Sequence, residues 1–159
     1  MLVALSATAA TTRDDTEIQR WINQHAQRTN SVELPATRYR VVGDLDGDGR
    51  NDIALLYTLK PRAGRHGESR YLVAFKRQRE ESHGGRRDGL RYHAHVLVSG
   101  PGAGEANRAT ILERAVVVEM LTFRPGDAAC CPTRPTTRRY RLAPHALTLI
   151  RPDTAKRAR

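Results

Sequence analysis

The sequence predicts an α+β fold, mostly β, with one N-terminal amphipathic helix packed on an antiparallel sheet. Three observations carry this reading. Helical periodicity is confined to the residues before about position 30. The remainder alternates short runs of β-branched and aromatic residues with polar turns. The connections between those runs are short and suit hairpins rather than crossovers. A length of 159 residues is expected to form one domain with a real core. With 39% hydrophobic and 28% charged residues, the composition is that of a globular chain rather than a disordered one.

The first ten residues, "MLVALSATAA", join an apolar run to an A-x-A-like site at Ala7-Thr8-Ala9. They match the back half of a secretory signal peptide, so 1–10 are expected to be its remnant. No cysteine nearby supports a lipid anchor. No apolar run approaches the ~20 residues that cross a bilayer, so no membrane-spanning segment is expected. The domain proper is expected over 14–152, followed by a loose basic tail over 153–159.

In "DDTEIQRWINQHAQRT", Ile18, Trp21, Ile22 and His25 fall at i, i+3, i+4 and i+7 and define one helix face. Asp14, Asp15 and Glu17 sit where a helix starting there would favour anions, and Arg28 where it would favour cations. His25 is expected to border the helix core. Strands are expected at 37–42, 52–59, 70–76 and 90–98, with a charged, mobile connection at 77–89. Residues 109–123 read as one long or two short strands, and "TRRYRL" with "ALTLI" as a terminal hairpin around Pro144.

"GDLDGDGRND", residues 43 to 52, is the most specific stretch. Counting from Asp44, acids occupy the first, third, fifth and ninth positions: Asp44, Asp46, Asp48 and Asp52. Gly49 holds the sixth, where a sharp turn is needed, and Arg50 at the seventh offers its backbone carbonyl. Odd positions of a tightly wrapped loop turn their oxygens toward one centre, and Gly47 and Gly49 permit the backbone angles. Two carboxylates ~4 Å apart repel by about 1 kcal/mol in water and about 4 kcal/mol at an effective dielectric near 20. A hard divalent cation removes that repulsion, and calcium's flexible oxygen shell suits a wrapped loop better than magnesium's octahedron. The pattern resembles the calcium loops of EF-hands, dockerins and FG-GAP or integrin-type repeats. It departs from an EF-hand at the twelfth position, Leu55 rather than a bidentate Glu, and in leading into a strand. A distant acid (Glu33, Glu105 or Asp127), a carbonyl or water must complete the shell. The resemblance implies a structural Ca²⁺ of modest affinity, about 10⁻⁴ to 10⁻³ M as in extracellular modules.

Cys130 and Cys131 are the only cysteines and are adjacent. A vicinal disulfide is the leading reading for an exported protein; free thiols or intermolecular pairing are the alternatives. His93 and His95 in "RYHAHV" are expected to share one half-exposed strand face. No nucleophile elbow, phosphate loop or H-E-x-x-H motif is present, so no enzyme is expected.

Taken in order, the export-like start, the helix, the aspartate loop feeding a strand and the late "CCPTRPTTRRYRL" look like a group of small exported bacterial proteins, often lipoproteins. Some similar calcium-loop proteins of the periplasm are immunity proteins that inhibit peptidoglycan-cutting effectors. The resemblance implies a periplasmic or secreted protein-binding module, an inhibitor of a cell-wall hydrolase. It carries over the metal positions and no inhibitory residue. A rival reading starts from charge. The formal net charge is +10, and all bases except Lys60, Lys76 and Lys156 are arginine, the residue suited to bidentate anion recognition. A basic envelope protein would then hold an anionic polymer, polysaccharide or nucleic acid, through Arg86, Arg87, Arg91, Arg138, Arg139 and Arg141. The aromatic content of 5% weighs against single-stranded nucleic acid.

Overall fold

The structure, a computed structural model, describes residues 5–63, 67–82 and 85–150, with side chains in the first helix described from Arg13 onward. The expected basic tail and the start of the expected signal remnant lie outside these residues. Among these residues the chain runs through helix α1 (Leu5–Arg28) and then nine strands. They are β1 (Ser31–Glu33), β2 (Tyr39–Gly43), β3 (Asp52–Pro61), β4 (Ser69–Ser82), β5 (Gly85–Ser99), β6 (Glu105–Leu112), β7 (Ala115–Thr122), β8 (Arg134–Ala143) and β9 (Ala146–Ile150). A short 3-10 turn, Pro35–Thr37, separates β1 from β2. The fold is α+β and mostly β, with the helix on an antiparallel sheet, as the sequence predicts. Among the described residues no helix is long and apolar enough to cross a membrane.

The strands form two antiparallel sheets rather than one. In the first, β1, β3, β4 and β5 are neighbours in that order, and β2 also pairs with β3; the second runs β6-β7-β8-β9. The first sheet is the middle layer of three. Ile53, Leu55, Tyr57 and Leu59 of β3 pack with Ile18, Trp21 and Ile22 of α1. The alternate residues Ala54 and Leu56 pack with Val116, Val118 and Met120 of β7. That two-sided cover explains why "IALLYTL" is continuously apolar instead of alternating. The layers meet at both margins. Gly43 of β2 lies against Ile111 of β6, and His93 of β5 shares a 2.7 Å hydrogen bond with the Ala143 carbonyl at the end of β8.

Three local expectations are corrected. The helix begins at Leu5, not near Asp14, so Asp14 is no N-terminal anion. It instead receives the Arg77 guanidinium at 2.6 Å. Residues 77–89 are not a loose connection among the described residues, because β4 and β5 continue as a hairpin arm past the end of β3. Opposite charges face each other along it at Arg79–Asp88, Glu80–Arg87 and Glu81–Arg86, and such cross-strand pairs support a ladder that has no apolar face. Finally, Ala74 pairs with Ala94 but Phe75 with Tyr92, which leaves His93 as the extra residue of a β-bulge. A one-residue insertion reverses side-chain parity. His95 therefore joins the aromatic rings under α1 while His93 reaches Ala143, so the two histidines do not share a face.

Candidate metal centre

Residues 44–51 connect β2 to β3 and are fixed from below. Leu45 points into the core between the sheets. Its backbone N–H donates to Asp52 Oδ2 at 2.9 Å, and Arg77 N–H donates to Asp52 Oδ1 at 2.8 Å. Asp52 is fully buried. Burial raises its carboxyl above the ordinary carboxylate range against the pull of those two amide bonds, and Asp46 and Asp48 add to the rise. The loop above folds on its own side chains. Gly47 and Gly49 amides donate to Asp44 at 2.6 and 3.0 Å, Asp48 N–H to Asp46 at 3.2 Å, and Arg50 N–H to Asp48 at 2.8 Å. The glycines supply the left-handed turns this needs, with φ of 86° and 79°. Amide bonds from Gly47 and Gly49 hold the Asp44 carboxyl below the usual range.

The result is a cluster in which one carboxylate oxygen each from Asp44, Asp46 and Asp48 lie within 4.8 Å of one another. The structure thus brings together three of the four expected acids. Asp52, at the ninth position, forms the base of the loop instead of joining them. Arg50 enters through its amide and through a guanidinium 3.5 Å from Asp48. None of the distant acids joins the cluster, because each is committed elsewhere or remote. Glu33 binds Arg38 at 2.6 Å, Asp127 ties its own loop to Arg124 and Thr133, and Glu105 opens β6 opposite Leu121. The donor set is all oxygen and anionic, which fits a hard cation, with water and backbone carbonyls left to complete the shell.

Two bases that the sequence did not connect to the loop also face it. Lys76 of β4 places Nζ 2.5 Å from Asp46 Oδ2. Its ammonium is held above the usual lysine range by that contact first and by Asp52 and Asp48 as well. Arg114, in the tight turn between β6 and β7, packs so closely that a Cβ on Gly47 would lie 2.5 Å from its guanidinium carbon. The loop is therefore an electrostatic knot between the two sheets. Its aspartates counter bases that reach it from β4 and from the β6–β7 turn.

The six arginines do not form one patch. Arg86, Arg87 and Arg91 lie on the hairpin arm, where Arg91 pairs with Glu80 at 2.8 Å. On β8, Arg138 donates to the Val98 carbonyl at 3.3 Å and Arg139 pairs with Glu113 at 2.9 Å. Arg141 is exposed on the same strand. Cys130 and Cys131 are bonded to each other in an exposed loop. Comparison with protein-family models, curated proteins and solved structures gives no match for this chain.

Proposed function

We propose that this is an exported calcium-binding, β-rich module that acts by binding a protein rather than by catalysis. The observation that carries the metal reading is the convergence of Asp44, Asp46 and Asp48 on one centre. The ion's role is structural. It would sit on the turn that enters β3, a strand buried on both faces, beside bases reaching in from β4 and from the β6–β7 turn. Asp44, Asp46 and Asp48 would hold it, and it would supply fixed positive charge that keeps the turn wrapped. The resemblance of the loop and its flanking order to periplasmic immunity proteins supports a partner of the cell-wall hydrolase class. Titration calorimetry on chelator-stripped protein tests the metal step. Ca²⁺ is expected to bind at sub-millimolar to millimolar strength and more tightly than Mg²⁺, and Asp48→Asn to weaken it at least about tenfold. No heat with either ion sinks the reading. A muramidase assay with and without the protein tests the partner class, and unchanged lysis would remove it.

The arm supports a second reading. Arg87 is exposed and has no acidic partner among the described residues, since Glu80 opposite it is taken by Arg13 and Arg91. An anionic envelope polymer bound there would dissociate steeply with salt, whereas a packed protein interface would respond little.

A further inference from the structure

On the other face of the first sheet, the C-terminal half of α1 and the middle of β5 enclose a cleft of about 520 Å³, within the size range of small-molecule sites. Trp21 and Tyr92 stack along it with ring centroids 4.9 Å apart. Beneath them the His25 and His95 rings lie 4.7 Å apart. Each uses Nδ1 to meet a tyrosine hydroxyl, Tyr57 at 2.6 Å and Tyr92 at 2.8 Å. Nε2 of each ring lies outside these bonds.

The charge around this cluster is unbalanced. From α1 come Glu17, Arg20 and Arg28, and Glu17 is neutralised by its ion pair with Arg20. Among the described residues β3 and β4 contribute the tyrosines Tyr57 and Tyr71, and β5 Tyr92 and His95. Glu33 on β1 acts on Tyr57 but is bound to Arg38. Arg28 is left without an acidic partner among the described residues, and its field reaches both histidines. His25 is buried and His95 is exposed, and partial desolvation lowers both imidazoles below the ordinary histidine range, with the nearby His95 adding to this for His25. A cation would meet Arg28 and find no free carboxylate. An anion would meet an unopposed guanidinium and an apolar wall.

We propose that this cleft binds a small organic anion, a carboxylate or phosphate pairing with Arg28 while its body lies against the exposed Tyr92 ring, which Trp21 backs. The bound charge lowers the cost of an imidazolium at His95, so binding takes up a proton. Each proton taken up strengthens apparent association by up to about tenfold per pH unit. The site is separate from the aspartate loop and does not depend on calcium.

Ring ¹⁵N–¹H spectra of the histidines in the full chain test this, with inorganic phosphate and glucuronate as the anionic probes and glucose as the neutral one. At least one anion is expected to shift the His25 and His95 signals saturably, and glucuronate, whose single charge is constant over this range, to bind more tightly at pH 6 than at pH 7.5. Arg28→Gln, a substitution on the exposed side of the helix, is expected to weaken that binding roughly tenfold. Whichever of phosphate and glucuronate binds more tightly identifies the anionic group. The proposal is overturned if neither anion moves the two rings, if glucose moves them equally, or if Arg28→Gln binds as well as wild type.

Discussion

At Asp46 an incoming ion and Lys76 compete for the same carboxylate, since the ammonium lies 2.5 Å from Oδ2. Removing the competitor while keeping the ligand, as in Lys76→Gln, should therefore tighten calcium binding. Lys76 and Asp46 keep about a quarter and a fifth of their side-chain surface exposed. Solvent screening then reduces the pair to about 1 kcal/mol, so calorimetry should read roughly a fivefold gain in affinity. An unchanged or weaker constant would mean that Lys76 helps to shape the site rather than occupying it. His25 makes a second prediction at this scale. Burial first, then His95 and Arg28, lower its folded-state pKa to about 4 from 6.5. The unfolded chain thus takes the proton first as pH falls. The stability tied to neutral His25 is complete above pH 6.5 and is lost between 6.5 and about 4. Wild-type melting temperature should drop across that window more than that of His25→Asn; parallel curves would show that the ring does not report on folding.

Among the described elements, β3 contributes the most buried apolar residues because it is covered on both faces. Leu56 is fully buried between the sheets, so Leu56→Ala should cost about 2–5 kcal/mol by lost burial and a residual cavity. Leu112, at the exposed end of β6 with 55% of its surface open, should tolerate the same change within about 0.5 kcal/mol. Urea denaturation of the two variants checks the contrast, and equal losses would contradict the three-layer arrangement. The helix, most strands and the terminal hairpin were legible in the sequence because periodicity and turn residues mark them locally. The hairpin arm was not, since its support comes from charges facing across strands, such as Arg79 and Asp88, rather than from an apolar stripe. β1 is three residues long and carries too little pattern to announce itself. The bulge at His93 leaves no compositional trace, yet it decides which face His95 occupies.

For the molecule as a whole, the continuous apolar run in β3 did signal deep burial, but its implication of a second sheet rested on strands more than fifty residues later. The aspartate loop was legible as a metal-ligand pattern because its spacing is local. Its counter-charges were not, because Lys76 and Arg114 come from β4 and from the turn between β6 and β7. Those bases also answer why a chain of net charge +10 concentrates acids there. The loop's carboxylates meet cations that reach it from both sheets, Lys76 at Asp46 and Arg114 near Asp44. A calcium ion would replace the Lys76 contact at Asp46 with a tie among Asp44, Asp46 and Asp48 on the turn that enters β3, and its effect should be felt by the whole cooperative fold. Thermal melting of chelator-treated protein, with and without about 10 mM Ca²⁺, measures this directly. For dissociation constants of about 10⁻⁴ to 10⁻³ M, linkage gives about 1.4–2.7 kcal/mol, a rise of roughly 3–10 °C for a chain of this size. Asp46→Ala should abolish most of that rise. Superimposable wild-type melting curves with and without calcium would contradict the account.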